Sequence, residues 1–376
     1  MINIQTKEYC CGCGACVEIC PRHCISFNND KEGFKYPIVN IEECIDCHLC
    51  EKVCPVINQG DEKLPIKNYA AINKNLEIRK RSSSGGFFYL LASKIIKQGG
   101  IVWGAKFNKD WEVVMDFTDR IDGLLPFMGS KYVQANPLKS YTNIKKILQN
   151  GKTVLFTGTP CQISGLRLFL QKDYNNLLLV DIICHGVPSP LFWQNYLKEI
   201  KSSSTDSKLS YVSFRNKVDG WKRFSIFFDF EGKSFHQPFT NNSYMKLFLG
   251  NYILRPSCYN CPVKKGKSGS DITIGDFWGI QNIFPSIDDD LGVSSVLINS
   301  EKGYDFIKDL DADFYECTYD DILKGNSALR KSCKIPEKRD YIFRHSQKSF
   351  DYLTKYIENR TISNRIKRKI LKYIRR

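Results

Sequence analysis

The 376-residue chain has no long hydrophobic run, and this absence excludes a membrane-spanning helix. Its densest apolar segment, Leu177 to Cys184, contains Asp181 and is far shorter than the ~18 residues that a spanning helix needs. The start of the chain, Met1 to Tyr9, has neither the basic nor the apolar stretch of a secretory signal. We therefore expect a soluble, cytoplasmic protein.

Two nucleotide-binding motifs are also absent. The chain contains no Gly-x-Gly-x-x-Gly, which excludes the nicotinamide-type Rossmann fingerprint. Gly266-Lys267-Ser268 resembles the end of a P-loop, but Cys261 stands where that motif requires its first glycine. ATP hydrolysis is therefore not indicated.

Acidic residues are absent from Arg360 to Arg376, whose eight basic residues hold just over half of the net charge of +15. Residues 1–60 have the opposite bias, with eight acidic and five basic residues. Because aromatic residues suited to stacking are not interleaved with the basic tail, we expect no nucleic-acid partner. We predict a basic amphipathic helix at residues 346–376 that packs on its own domain, docks on a partner or lies on an anionic membrane surface.

Cysteine is abundant: the chain has sixteen, and ten of them precede residue 55. In a reducing cytoplasm such cysteines indicate metal or redox chemistry before disulfides. The spacing Cys-x2-Cys-x2-Cys-x3-Cys-Pro occurs twice, 34 residues apart, and is the bacterial ferredoxin signature for two [4Fe-4S] clusters. Because the fourth cysteine of each run binds the other cluster, we expect one cluster on Cys10, Cys13, Cys16 and Cys54 and the other on Cys44, Cys47, Cys50 and Cys20. Structural zinc, the alternative, prefers two Cys-x2-Cys pairs separated by a longer loop.

Four of the six later cysteines lie in contexts suited to ligation, and four thiolates would complete a third cubane: Cys161, Cys184, Cys258 and Cys261. A zinc site on the same four residues, or a redox-active Cys161 beside a cofactor, are the alternatives. The cysteines left over are interpreted as small apolar residues or surface thiols: Cys11, Cys24, Cys317 and Cys333.

Strands and helices alternate from residue 85 to 200, which predicts α/β layering. We expect a strand at Ile101–Phe107, a buried strand at Thr153–Thr157 followed by a helix at Cys161–Leu170, and a second buried strand at Leu177–Ile183. Two antiparallel strands, Tyr211–Phe214 and Phe224–Phe230, add an α+β portion. The predicted fold class is mixed α/β with α+β elements, in three parts: a ferredoxin-like domain at 1–60, a mixed α/β domain at 61–345 and the helix at 346–376.

The segment Ser82 to Gly86 precedes a predicted helix that ends at Gly99. Its serines are expected to cap that helix. Small residues with free backbone N–H groups at a helix start also suit the phosphates of a dinucleotide such as FAD.

The chain resembles the family of beta subunits of coenzyme F420 hydrogenases and dehydrogenases, in the version with an N-terminal two-cluster ferredoxin. The resemblance runs from about Cys10 to about Gly279. It rests on rare strings that occur in the family's order: Arg81–Gly86, Gly129–Gln134, Gly158–Ile163, Cys184–Pro190, Phe214–Lys217, Arg255–Pro262 and Asp271–Gly279.

The resemblance implies a flavoprotein in which FAD mediates between a two-electron deazaflavin carrier and one-electron iron–sulfur centres. It implies FAD contacts from Ser82, Ser83, Ser84, Gly85, Gly86, Lys131 and Thr159. The third cluster on Cys161, Cys184, Cys258 and Cys261 would lie beside the flavin, and the ferredoxin domain would exchange electrons with a redox partner. It identifies no catalytic acid or base.

The leading hypothesis is therefore an enzyme, an F420H2 dehydrogenase-like FAD and iron–sulfur oxidoreductase. The alternative is a non-catalytic electron-transfer subunit that serves a partner enzyme, for example in a surface-polysaccharide pathway. If the substrate is F420, its polyanionic tail needs a cationic rim. Candidates for that rim are Lys217, Lys264, Lys265 and Lys267.

Overall fold

The computed structural model describes residues 1–137, 139–202 and 208–358. The α-helices are α1 Ala15–Ile19, α2 Leu49–Lys52, α3 Leu76–Arg81, α4 Phe87–Lys97, α5 Ser140–Gln149, α6 Pro160–Leu170, α7 Pro190–Ser202, α8 Ser243–Leu249, α9 Glu301–Ile307, α10 Tyr319–Gly325 and α11 Arg339–Arg344. The strands are β1 Ile25–Asn29, β2 Lys35–Val39, β3 Lys67–Asn73, β4 Ile101–Phe107, β5 Val113–Thr118, β6 Val154–Gly158, β7 Leu177–Ile182, β8 Leu209–Asn216, β9 Ser225–Phe230, β10 Lys233–Pro238, β11 Ile272–Asp276, β12 Ser294–Ile298 and β13 Ala312–Glu316.

An eight-stranded sheet in the order β13-β3-β12-β11-β7-β6-β4-β5 forms the main body. Its inner strands β11, β7, β6 and β4 run parallel, and the remaining neighbours pair antiparallel. Strand β7 is buried at five of its six positions because layers of helix cover both faces of the sheet. The predicted α/β layering is confirmed.

Successive residues of the central strands face opposite layers, as the pleat requires. Phe156 of β6 and Leu179 of β7 pack against α5 and α6 on one face. Leu155 and Val180 pack against α4 and α9 on the other. The helix that begins beside Cys161 is thereby held firmly on the sheet.

A second, three-stranded antiparallel sheet in the order β10-β9-β8 confirms the predicted α+β portion. It packs with α7, α8 and α11 around an aromatic core. Trp193 of α7 is fully buried there, with its ring centroid 4.9 Å from that of Phe214 and 5.6 Å from that of Tyr244. This core supports the strand from which Arg215 extends toward the main sheet.

The N-terminal region has the expected pseudo-symmetry of a ferredoxin-like domain. Helices α1 and α2 occupy equivalent places after the two cysteine loops, and the hairpin of β1 and β2 lies between the loops in sequence. The predicted fold class, mixed α/β with an N-terminal ferredoxin-like domain, is confirmed.

The predicted C-terminal basic helix lies mostly outside the described residues. Residues 350–358 are helical and contribute Phe350, Leu353 and Ile357 to the aromatic core. The eight basic residues from Arg360 onward are among those not described. None of the helices in the described ranges has both the length and the apolar character needed to cross a bilayer.

The helix-cap prediction for the serines was wrong. Gly86, with φ of +85°, is the N-cap of α4, and Ser82 is instead the C-cap of α3. Ser82 Oγ donates to Ile78 O, and Ser84 Oγ donates to Val293 O. The serine side chains thus tie the loop to its neighbours, and a glycine fills the left-handed position.

Candidate iron–sulfur and cofactor site

The first cysteine loop, residues 10–16, is buried against the sheet domain. Its thiol residues Cys10, Cys13 and Cys16 are each at most 9% exposed. Burial raises the pKa of Cys16, and the neighbouring thiols of Cys10 and Cys54 raise it further. The Cys54 thiol likewise raises the pKa of Cys13. The structure therefore gathers the predicted first set, Cys10, Cys13, Cys16 and Cys54, into one group.

The second cysteine loop, residues 44–50, faces solvent. A small cavity is lined by Cys20, Cys44, Cys47 and Cys50, which are the predicted second set. Cys47 is exposed, and the backbone N–H of Ile2 donates to Cys50 Sγ at 3.2 Å. Backbone donors to sulfur are a feature of iron–sulfur sites, where they help to set the potential.

The third set of cysteines comes from three parts of the sheet domain. Cys161 lies in the first turn of α6, Cys184 follows β7, and Cys258 and Cys261 lie in and after the 3-10 turn Pro256–Asn260. Burial raises the pKa of Cys184 to about 12, and Cys161 and Cys261 act in the same direction. The pKa of Cys258 is raised by burial and by the other three thiols. The fold thus brings these four residues close together.

The arrangement of the thiols bears on which metal centre they would hold. Among the described residues, no three His, Cys, Asp or Glu side chains are placed to hold a single metal ion. A cubane carries its four thiolates on four different irons, so these thiolates lie farther apart than those on one zinc ion. Donor sets made only of thiols fit [4Fe-4S] clusters, and the assignment of each cysteine to a cluster stays a prediction.

Three cysteines interpreted as ordinary thiols lie directly beside these sets. Cys11 lies near enough to both Cys13 and Cys161 that its thiol lowers the pKa of Cys13 and raises that of Cys161. Cys24 Sγ is 3.3 Å from Cys20 Sγ, and Cys24 lines the cavity of the second cysteine set. Their sequence signal was their nearness to Cys10 and Cys20, but only the fold shows that Cys11 joins the first set to the third.

The third of these cysteines is Cys333, which lies beside the third set. Its thiol donates to His185 O at 2.8 Å and adds to the negative field felt by Cys184. Nothing in the local sequence of Cys333 predicts this contact, because the residue is 149 positions away from Cys184.

The two segments expected to contact FAD are in contact with each other. The backbone N–H of Ser130 donates to Ser83 Oγ at 2.7 Å, which joins the loop of residues 82–86 to the segment of residues 129–134. Gly85 is packed so tightly that a Cβ there would lie 2.5 Å from Ala71 O and 2.6 Å from Ser294 N. The loop is therefore held against the ends of β3 and β12.

Lys131 lies next to this loop as a cation with no acidic partner among the described residues. Its Nζ donates to Met128 O at 2.9 Å and to Gly129 O at 3.1 Å. Burial lowers the pKa of Lys131 to about 7. A buried amine without a carboxylate gains from a bound anion, so the residues present fit the diphosphate of FAD.

Thr159, the remaining residue expected at FAD, has a different set of contacts. It is the N-cap of α6 and forms a capping box with Gln162. Its Oγ1 is 3.2 Å from Cys161 Sγ. The structure thus places Thr159 at the third cysteine set, where its hydroxyl can contact the ligand sulfur.

Arg215 and Asp276 form a buried ion pair that the sequence reasoning did not single out. Arg215 Nη1 donates to Asp276 Oδ2 at 2.7 Å, and Arg215 Nη2 donates to Ser83 O at 3.3 Å. The pair joins the ends of β8 and β11 to the candidate FAD loop. Both residues lie inside strings on which the family resemblance rests, and this was the available signal.

The four lysines predicted to form a cationic rim contact other groups of the chain. Lys217 Nζ donates to three backbone carbonyls, those of Arg79, Ser84 and Leu291, and so fastens the loop from beneath. Lys264 Nζ donates to Cys184 O and Ala328 O. Two of the four candidate lysines therefore hold the backbone, because buried ammonium groups must satisfy their donors locally.

The other two candidate lysines are engaged at the linker that follows the ferredoxin-like domain. Lys265 pairs with Glu62 at 2.6 Å, and Lys267 donates to Gln59 at 3.4 Å. Neither contact places the lysine at the loop of residues 82–86.

The fold and the thiol sites define an iron–sulfur protein in which a two-cluster ferredoxin domain is joined to a mixed α/β domain. Residues 9–58 match the model of the 4Fe-4S dicluster domain. Residues 151–320 match the model for the C terminus of the coenzyme F420 hydrogenase/dehydrogenase beta subunit. Both matches confirm the predicted resemblance to this family.

Individual relatives extend the match. An uncharacterized protein of Methanocaldococcus jannaschii is 23% identical over 90% of this chain and 96% of its own length. One F(420)H(2) dehydrogenase subunit of Methanosarcina mazei is 20% identical over 48% of this chain and 55% of its own length. A chain of the F420-reducing [NiFe] hydrogenase complex of Methanosarcina barkeri superposes with a TM-score of 0.47 at 16% identity, covering 78% of this chain and 93% of that one.

Proposed function

We propose that the chain is a FAD and iron–sulfur oxidoreductase that passes electrons between a hydride carrier, coenzyme F420 or an analogue, and its [4Fe-4S] clusters. The family description and the relative named as part of an F(420)H(2) dehydrogenase support the carrier. FAD supplies the exchange between hydride and single-electron chemistry, because a flavin can take part in both.

The observation that carries the proposal is that one segment contacts both kinds of site. In the segment of residues 129–134, Ser130 bonds to Ser83 of the candidate FAD loop. Four residues later, Gln134 Nε2 donates to Cys11 O at 3.2 Å in the first cysteine loop. Since Cys11 also lies near Cys161, this contact supports a proposed two-electron site that adjoins the proposed cluster sites.

In this scheme the chain's own residues hold the reactants in place, and none of them is needed as an acid or a base. Hydride transfer depends on holding the donor and acceptor carbons in line, so placement matters most. Lys131 and the backbone of the candidate FAD loop would hold the diphosphate, while Arg215 and Lys217 fix that loop from below. Lys264 fixes the backbone at Cys184 in the third set.

In this scheme electrons pass between the protein and its redox partner at the second cysteine set. Its cavity opens to solvent beside Cys47, whereas the first set is enclosed by the sheet domain. A protein redox partner would therefore exchange electrons at the second cysteine loop.

Anaerobic single-turnover mixing tests the carrier. Protein reconstituted with FAD and iron should show bleaching of the bound flavin on mixing with reduced F420, followed by reduction of the clusters. If reduced F420 leaves the flavin oxidised while NADH or reduced ferredoxin reduces it, the carrier assignment is wrong. Purified protein that holds clusters but no flavin would instead support the non-catalytic electron-transfer role.

A substitution at Lys131 tests the FAD site. We expect Lys131→Gln to weaken FAD binding while leaving the iron content unchanged, and the exposed Lys109→Gln to change neither. Binding of FAD by the unmodified protein should weaken as pH rises above about 7, because the free lysine loses its proton there and must regain it to pair with the diphosphate. Equal FAD affinity in all three proteins would exclude this location.

A further inference from the structure

Arg255 is a fully buried guanidinium that contacts the first cysteine loop. Its exposure is 0%, and its Nε donates to Cys10 O at 2.7 Å. Nη2 lies 3.4 Å from Cys10 Sγ and 3.0 Å from Lys35 O, and Nη1 donates to Gln134 Oε1 at 3.0 Å. The side chain thus reaches a ligand sulfur of the first set from the sheet domain.

Arg255 differs from the other buried arginines in having no carboxylate partner. Arg79 pairs with an aspartate, Arg215 with another, and Arg339 with a glutamate, at 2.6 to 2.7 Å. Within residues 1–137, 139–202 and 208–358, no Asp or Glu forms an ion pair with Arg255. A buried charge without a counter-charge is strongly unfavourable, so one must come from elsewhere.

The surroundings of Arg255 supply only part of that compensation. The ring of Tyr36 lies 4.3 Å from the guanidinium carbon and that of Phe34 lies 5.5 Å away, which gives cation–π attraction. A Cβ placed on Gly12 would be 2.9 Å from the same carbon. The guanidinium is therefore enclosed by the hairpin and the first cysteine loop. Cys10 is the thiol that its N–H groups contact directly, while Cys161 and Cys258 of the third set lie within its electrostatic range.

We propose that Arg255 is the built-in counter-charge of the cluster on Cys10, Cys13, Cys16 and Cys54, and that it raises the reduction potential of this cluster. The one-electron reduction adds one negative charge to the cluster and forms or breaks no bond to Arg255. A fixed cation and an N–H directed at a ligand sulfur stabilise the more negative, reduced form. The inference needs the ferredoxin clusters but neither FAD nor F420.

The consequence is an unequal pair of clusters. Arg22 lines the cavity of the second set, but Arg22 and Cys47 are both exposed, so solvent screens the charge there far more than at the buried Arg255. When either ferredoxin cluster can be reduced, the electron should therefore reside preferentially on the first cluster, the one on Cys10, Cys13, Cys16 and Cys54.

The test is an EPR-monitored titration of the cluster potentials in the reconstituted holoprotein with dithionite. We expect Arg255→Gln to lower the reduction equilibrium constant of the first cluster at least tenfold, which is 59 mV for a one-electron couple. The second cluster should move less. A Cys47→Ser background, which alters only the second set, assigns the signals.

Two variants keep the test decisive. Arg255→Lys retains the charge, so the reduction equilibrium constant of the first cluster should stay within twofold of its value in the unmodified protein. Arg339→Gln removes another buried arginine that bridges to the ferredoxin-like domain, through Glu32, and should not shift the potential of the first cluster.

Three outcomes would overturn the proposal. They are a tenfold shift in Arg255→Lys, shifts of equal size in Arg255→Gln and Arg339→Gln, and unchanged potentials in Arg255→Gln. If Arg255→Gln fails to take up the cluster, Arg255→Lys alone decides by the same criterion.

Discussion

The two halves of the ferredoxin-like domain share one cysteine motif but differ at the positions between the cysteines. Gly12 and Gly14 of the first loop correspond, 34 residues later, to Asp46 and His48. All four adopt a left-handed backbone, with φ of +72°, +88°, +49° and +57°. The cluster-binding conformation is therefore the same, and the choice of glycine has another cause.

The cause is what lies outside each loop. A Cβ on Gly12 would be 2.7 Å from Gln134 Nε2, and one on Gly14 would be 2.8 Å from the ring of Pro137. Asp46 and His48 are exposed, and His48 Nε2 lies 3.4 Å from Asp46 Oδ2. The first loop docks on a second domain and therefore needs glycine at these two positions. The second loop faces solvent and tolerates large polar residues at the equivalent positions.

The difference teaches that duplicated motifs can serve unequal roles. The first loop is pressed against α6, where a Cβ on Gly165 would lie 3.0 Å from Cys13 Sγ. It therefore faces the third cysteine set, whereas the second loop faces outward. We infer an inner and an outer cluster, and the following predictions test that distinction.

The largest expected effect is the loss of a whole cluster from the site beside the inner loop. Anaerobic protein should contain about twelve irons per chain, and Cys258→Ser should lower this by about four while both ferredoxin clusters remain. Iron analysis and EPR measure the change. About eight irons in the unmodified protein, together with zinc, would refute the third cluster and leave the inner loop without a neighbouring centre.

The second prediction concerns access to the two ferredoxin clusters. A ferrous chelator added to reduced protein should remove iron in two phases, with the outer cluster lost first, because Cys47 is exposed and the first loop is buried. Absorbance of the iron–chelator complex follows both phases. A Cys47→Ser variant serves as control, since it should lose only the early phase; a single uniform phase in the unmodified protein would contradict the distinction.

Equivalent alanines should have unequal effects on stability. Gly12→Ala adds a Cβ at a left-handed, fully packed position and should lower the free energy of unfolding by about 1–3 kcal/mol. Asp46→Ala, the matched change in the second loop, removes only exposed ion pairs and should have a much smaller effect. Thermal unfolding of the holoproteins compares the two, and equal losses would show that the first loop is not docked as described.

The smallest expected effect comes from making the outer loop resemble the inner one. His48→Gly places glycine at a left-handed position that faces solvent, and we expect little change in iron content or melting temperature. Gly14→His, the reciprocal change, should destabilise the protein because Pro137 occupies the space. A strong loss of iron in His48→Gly would mean that the outer loop depends on its side chains as much as the inner loop does.

Local spacing and hydrophobic pattern were enough to predict much of the molecule. The ferredoxin motif, the strands at Ile101–Phe107 and Leu177–Ile183, and the helix from Cys161 depend on neighbouring residues, which a sequence shows directly. The cysteine spacing also predicts the two ferredoxin ligand sets, because it limits how a loop can surround a cluster. The error at the serine loop arose because Ser82 to Ser84 and Gly86 can each cap a helix, and packing on β12 decided for Gly86.

The sequence by itself predicted the two-cluster ferredoxin motif, the mixed α/β domain and the resemblance to the beta subunits of F420 hydrogenases and dehydrogenases. Only the tertiary structure decided which cysteine loop is buried, that Cys11 lies between two thiol sets, and that Lys217 and Lys264 hold backbone carbonyls. It alone brought Arg255 to Cys10 across 245 residues of chain. Such contacts depend on how separate elements pack, and no local pattern records which distant partner satisfies a buried charge.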